Sequence, residues 1–117
     1  MSPRLGTAFV PVSDPPAAAR WYAAALDLRP LEVGSAAATL AAAGDALLTL
    51  LGPESGIATE PGLPWATCGW VVEDLAAKHA ELGAAGTSPS VIEGDASVCL
   101  FFTVRDLDGN VVLITDR

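Results

Sequence analysis

Apolar and polar positions alternate over residues 5–13, with Ala8, Val10 and Val12 on one side and Thr7, Phe9, Pro11 and Ser13 on the other. A period of two predicts a strand. Pro11 has no N–H for a ladder, so this strand lies at a sheet edge or bends there. Asp14 then reads as a helix N-cap with Pro15 in the first helical position, where a missing N–H costs nothing. The helix runs to about Leu26, and Trp21, Tyr22 and Leu26 give it an apolar side. Short strands follow near 29–33, 36–42 and 45–51, separated by Gly34-Ser35 and Gly44-Asp45.

The same order returns in the second half. Residues 66–72 alternate, with Cys68, Trp70 and Val72 against Thr67, Gly69 and Val71. Asp74 caps a helix carrying Leu75, Ala76, Lys78, His79, Leu82 and Ala85, and Gly86 fits the C′ position. Further strands are predicted near 89–93, 97–104 and 110–115. Thr7 to Asp14 and Thr67 to Asp74 are thus two copies of one strand-to-helix opening. The pattern is βαβββ twice, an α+β fold of one domain over 1–117. A first module spans 5–52, a linker 53–64, and a second module 65–117. Gly52-Pro53 and Pro61-Gly62-Leu63-Pro64 prevent the linker from continuing a helix or a central strand.

Composition narrows the partners. Residues of the apolar set make up 51% of the 117 and charged residues 17%, which is globular rather than disordered. A net charge of −8 argues against nucleic acid and anionic membranes, which attract Lys/Arg patches. It favours cationic small molecules, or no charged partner at all. No run reaches the roughly 18 apolar residues of a membrane span, and no signal sequence is evident, so a cytoplasmic location is expected. Cys68 and Cys99 form no CxxC motif and read as buried thiols. His79, the single histidine, falls on a helix and reads as half-exposed. Without a second base or a paired nucleophile there is no catalytic triad to propose. Glu54 and Glu60 in the linker, and Glu93 and Asp95 in a Gly-containing loop, read as solvated acids. Asp106-Leu107-Asp108-Gly109-Asn110 before the last strand reads as a hairpin turn with Gly and Asn in left-handed conformations, not as a calcium loop.

Several motifs, in order, carry a family resemblance. The turn 106–110 is similar to a DPDGN motif, with Leu107 in place of Pro. Asp14, the aromatic pair Trp21-Tyr22 and Leu26-Asp27-Leu28 resemble a helix signature in which Asp27 replaces Gly. Val72-Glu73-Asp74-Leu75 and Ala84-Ala85-Gly86 match the second half. The chain resembles the vicinal oxygen chelate superfamily, the glyoxalase/bleomycin resistance/dioxygenase group, over nearly its whole length. The resemblance implies two βαβββ modules whose curved mixed sheets line a cleft, with helices on the outer faces, commonly in a homodimer. It also implies four positions at which metal-dependent members place His, Gln or Glu. Two are the first inward residues of each module's first strand, and two lie on the last strands. Carried over by motif, they are Thr7, Leu48, Thr67 and Leu113. None offers imidazole or carboxylate, the donors suited to mixed N/O divalent sites. No metal and no cofactor are therefore expected. The resemblance is closest in character to the metal-free bleomycin-resistance branch. The implied ligand is a small organic molecule, aromatic or cationic, such as an antibiotic or metabolite. Thr7, Phe9, Leu48, Trp65, Thr67, Gly69 and Leu113 would line its site. The alternatives are a glyoxalase- or dioxygenase-type metalloenzyme with atypical ligands, and an interaction module whose cleft is vestigial.

Overall fold

The computed structural model describes residues 1–57 and 59–117; Ala58, inside the predicted linker, lies outside the described residues. Two compact units follow one another, Met1–Gly62 and Leu63–Arg117. The first contains β1 (Thr7–Pro11), α1 (Pro15–Leu26), β2 (Arg29–Val33), β3 (Ala37–Ala41) and β4 (Leu47–Leu51), then a single 3-10 turn at Pro53–Ser55. The second contains β5 (Gly69–Val71), α2 (Leu75–Ala84), β6 (Glu93–Asp95), β7 (Cys99–Arg105) and β8 (Val111–Thr115). Each unit is a four-stranded mixed sheet with one helix, in the orders β1-β4-β3-β2 and β5-β8-β7-β6. The first and last strands of each unit pair in parallel, and the remaining pairs are antiparallel. The α+β, two-module βαβββ organisation is thus present.

Both helices start the same way. The Asp14 carboxylate accepts from Ala17 N at 3.3 Å, and the Asp74 carboxylate from Ala77 N at 3.0 Å. Each satisfies one of the unpaired N–H groups of a first turn. The buried stripe of α1 is Pro15, Ala18, Ala19 and Tyr22. That spacing is one helix face, and it lies over β2, β3 and β4. In α2 the same stripe is Leu75, Lys78, His79 and Leu82, of which the two leucines are fully buried. Strand residues alternate to match. Val10, Ala38, Leu40, Leu48 and Leu50 form the first core with α1, and Phe102, Val104, Val112 and Ile114 form the second. The Tyr22 ring, 1% exposed, fills the first core and meets Trp21 edge-on at 4.9 Å.

Asp27 ends α1 at φ 58, in the left-handed region. An L side chain there carries a steric penalty that Gly avoids. Asp27→Gly is therefore expected to raise stability by about 0.5–1 kcal/mol, the gain being trimmed by the greater freedom of Gly in the unfolded chain. Urea unfolding monitored by circular dichroism measures it, and an unchanged or lower midpoint would refute it.

β1 is at a sheet edge, as Pro11 requires. At the opposite edge β2 combines Pro30, a register shift between Pro30 and Glu32, and two charged residues. Such features discourage pairing with a foreign strand. The strand predicted near 89–93 does not form. Ser88 has φ 53 and Pro89 lacks an N–H, so only Ser90 meets the sheet, exchanging bonds with Thr103 at 2.9 Å. Pairing resumes at β6, placing Glu93 and Asp95 on a strand rather than in a loop. That hairpin depends on Gly94, at φ 103, because a Cβ there would run into the Cys99 carbonyl. Among the described residues no helix is long and apolar enough to cross a membrane.

Candidate functional site

The sheet face turned away from each helix is where a ligand can be met. In the first unit the register fixes its occupants. Thr7 pairs with Leu47, Phe9 with Thr49, Thr49 with Thr39, and Thr39 with Glu32. Paired residues project to the same side. Thr7, Phe9, Leu47, Thr49, Thr39 and Glu32 therefore share the open face. Phe9 is 53% exposed, and Thr7, Thr39 and Thr49 are half-buried. Thr7 Oγ1 lies 2.8 Å from Thr49 Oγ1 and 3.1 Å from the carbonyl oxygens of both Ala8 and Leu47.

Leu48 does not belong to this face. It is 0% exposed and lies among Val10, Leu40 and Leu50 on the helix side. The sequence puts Leu48 among the ligand-lining residues, as the counterpart of Leu113; the structure buries it on the helix side instead. Pro11 pairs with Leu51 and Val71 with Thr115, so Thr49 corresponds to Leu113 and Leu48 to Val112. The turn before β4 has one more residue between its Gly and the strand than the turn before β8. Counting from the glycines slips the register by one, and a one-residue slip moves a side chain to the opposite face.

In the second unit Gly69 pairs with Leu113, and Leu113 with Thr103. These three share the open face with Val71 and Phe101, the former 65% exposed. Thr67 is exposed two residues before β5, in a bend. The indole of Trp65 is exposed on a segment that the 106–110 turn holds in place. Leu63 N donates to Asn110 Oδ1 at 2.8 Å, and Val111 N donates to Leu63 O at 3.2 Å. Asn110 Nδ2 in turn donates to Asp106 Oδ2 at 2.9 Å, while Asp106 Oδ1 accepts from Asp108 N and Asn110 N. Gly109 is left-handed as predicted, but Asn110 is not. Its side chain, in a residue 2% exposed, is a clamp rather than a turn-former. The Asp-x-Asp-Gly-Asn pattern marks a turn; nothing in it discloses Leu63 as the distant partner.

The remaining candidate donors are engaged elsewhere. His79 Nε2 is 2.7 Å from Ser90 O, and its ring meets Phe102 edge-on at 4.9 Å, so it is a packing residue on the helix layer. Cys68 and Cys99 are free and half-buried rather than fully buried. Burial pushes the Cys68 thiol up from its ordinary value, with the Thr67 hydroxyl opposing the shift. The thiolate, the form that ligates metals, is thus disfavoured. Hydrogen bonds from the Ser97 side chain and backbone hold the Asp95 carboxyl below its ordinary value. By strand register, the positions that the resemblance implies for metal ligands are Thr7 and Thr49 in the first unit and Thr67 and Leu113 in the second. Three hydroxyls and a hydrocarbon do not fit a divalent metal bound through imidazole and carboxylate. Among the described residues no group of three or more His, Cys, Asp or Glu is placed to hold a metal.

Comparison with known proteins agrees with this geometry at the level of fold. The model of the Glyoxalase/Bleomycin resistance protein/Dioxygenase superfamily matches residues 4–114. No curated protein sequence matches. Among solved structures, a lactoylglutathione lyase from Agrobacterium tumefaciens is similar with a TM-score of 0.81 and 13% identity, covering 98% of this chain and 94% of that one. A superfamily member from Sphaerobacter thermophilus is similar with a TM-score of 0.82 and 18% identity over 98% of both chains. The oxidase ChaP-H2 is similar with a TM-score of 0.77 and 16% identity, covering 100% of this chain and 95% of that one.

Proposed function

Since the chain belongs to the Glyoxalase/Bleomycin resistance protein/Dioxygenase superfamily, we propose that it is a metal-free small-molecule-binding protein akin to the bleomycin-resistance branch. The observation that carries this reading is the chemistry at the four family ligand positions. Thr7 and Thr49 are hydrogen-bonded to each other, Thr67 offers only a hydroxyl, and Leu113 has no donor atom. A neutral hydroxyl is a poor ligand where related enzymes use imidazole or carboxylate. The open faces are instead built for an organic molecule. On the first unit Phe9 supplies exposed apolar surface; on the second Val71 and Trp65 supply it, Leu113 adds hydrocarbon, and Gly69 leaves room for close approach. Apolar surface with a few placed hydroxyls is the usual makeup of a small-molecule site. The net charge of −8 attracts a cationic ligand and repels an anion. Sequestration of an aromatic antibiotic or metabolite by a cytoplasmic homodimer is the biological form of this proposal.

Two measurements test it together. Metal analysis of protein purified without chelator and then dialysed should find no stoichiometric Zn, Ni, Fe or Mn. Calorimetric titration with a panel of aromatic amines and alcohols should find ligands with Kd of about 10 µM or tighter, a free energy of roughly −7 kcal/mol. Retained stoichiometric metal would replace the proposal with a metalloenzyme. A panel with nothing tighter than about 1 mM, some −4 kcal/mol, would favour an interaction module.

A further inference from the structure

We infer that the polar anchor on the open face of the first sheet is a hydrogen-bond acceptor, Thr49 Oγ1, and that the ligand meets it with an N–H or O–H donor. The inference rests on the binding function proposed above and adds the ligand's chemical class.

A hydroxyl has one proton and two acceptor lone pairs. Thr7 Oγ1 has three oxygen neighbours: Thr49 Oγ1 at 2.8 Å, and the carbonyls of Ala8 and Leu47, each at 3.1 Å. Carbonyl oxygens only accept. If Thr7 gave its proton to Thr49, its own lone pairs would stand against two carbonyl oxygens with no proton between them. The favourable arrangement sends the Thr7 proton to the carbonyls. Thr7 then accepts, and Thr49 must donate to it. That consumes the single proton of Thr49 and leaves its oxygen with acceptor capacity only. Two backbone carbonyls therefore set, through Thr7, the polarity that Thr49 shows to a ligand.

The surroundings extend this polarity. Phe9, Thr49, Thr39 and Glu32 stand on successive strands in one register row, and neighbouring strands are about 4.8 Å apart. An aromatic ring stands at one end of the row and a carboxylate at the other. Thr39 accepts or donates as required, and Glu32 accepts. Among the described residues the one cation on this face, Arg29, lies in the adjacent row opposite Ala41. A molecule with an aromatic group for Phe9 and an amine or hydroxyl for Thr49 fits the row. A carboxylate or an ether of the same size would set oxygen lone pairs against oxygen lone pairs.

Four probes of one shape separate the cases by calorimetry: phenethylamine, phenethyl alcohol, methyl phenethyl ether and phenylacetate. The amine and the alcohol should bind about tenfold tighter than the ether and phenylacetate, the worth of one good hydrogen bond. Thr49→Val keeps the side-chain shape and should bring the alcohol and the ether within about twofold of each other. Thr49→Ser should keep the preference. Thermal unfolding confirms that both variants fold. Ether or phenylacetate binding as tightly as the amine, or a preference that survives Thr49→Val, would overturn the inference and leave the binding function standing. Silence from all four probes and from the wider panel would remove both.

Discussion

Asn110→Asp should destabilise the protein by about 3 kcal/mol or more at neutral pH, the range for breaking a buried charged hydrogen-bond pair. The substitution changes one amide nitrogen to oxygen. That nitrogen donates to Asp106 Oδ2 at 2.9 Å, in surroundings where Asp106 is 8% exposed and Asn110 2%. Two carboxylates would then face each other where an amide met a carboxylate. The bond from Leu63 N to Oδ1, 2.8 Å long, can be kept by the new carboxylate, so the loss is that of the Asp106 contact. The new carboxyl, beside a like charge, binds its proton more tightly folded than unfolded. The deficit is then complete above its folded pKa, and closes as pH falls and a protonated carboxyl donates in place of the amide. Urea unfolding at about pH 7 and about pH 5 reads both effects. A deficit below about 1 kcal/mol, or one that grows on acidification, would show that the clamp does not hold the unit together.

Leu48→Ala should cost about 3 kcal/mol of stability and leave ligand affinity unchanged. Leu48 is 0% exposed among Val10, Leu40 and Leu50, so truncation opens a cavity under α1 and touches nothing on the open face. Its chain neighbour behaves in the opposite way. Thr49→Val costs only about 1 kcal/mol, the worth of its bond to Thr7, and alters binding. Chemical unfolding and calorimetry on the two variants therefore give crossed results. A fall in affinity for Leu48→Ala, measured where the variant is fully folded, would restore Leu48 to the open face and undo the register assigned to β4.

That contrast marks how far the chain could be read before folding. Alternation alone puts Thr7, Phe9 and Gly69 on the faces away from the helices, because a period of two is set by the strand backbone; Leu113 comes only from the motif at Gly109-Asn110. The two aspartate caps and the edge position of β1 were also legible, since each rests on the chemistry of one residue, Asp14, Asp74 or Pro11. Failures came where a distant partner decides. Leu48 was placed by counting from Gly44, but the register of β4 is set by β1 and β3. The strand near 89–93 was excluded by the left-handed Ser88 and by Pro89, which together leave only Ser90 in reach of Thr103. Asn110 looked like a turn residue because its use is defined by Leu63, remote in sequence. His79 does fall half-buried on α2, as its helical position predicts, but its ring partner Phe102 on β7 is not legible in the sequence.

The placement of β1 and β5 bears on how the molecule is made. Each is an edge strand whose ladder neighbour is the last strand of its own unit. A ribosome delivers Thr7 long before Leu47, 40 residues later, to which its hydroxyl is bonded. The nascent chain thus carries an apolar strand with nothing to pair against until its unit is nearly complete, and then meets the same situation again from Gly69 to Val111. Duplication divides what would be one long wait into two short ones. The first can close once β4 is available, before the second is complete.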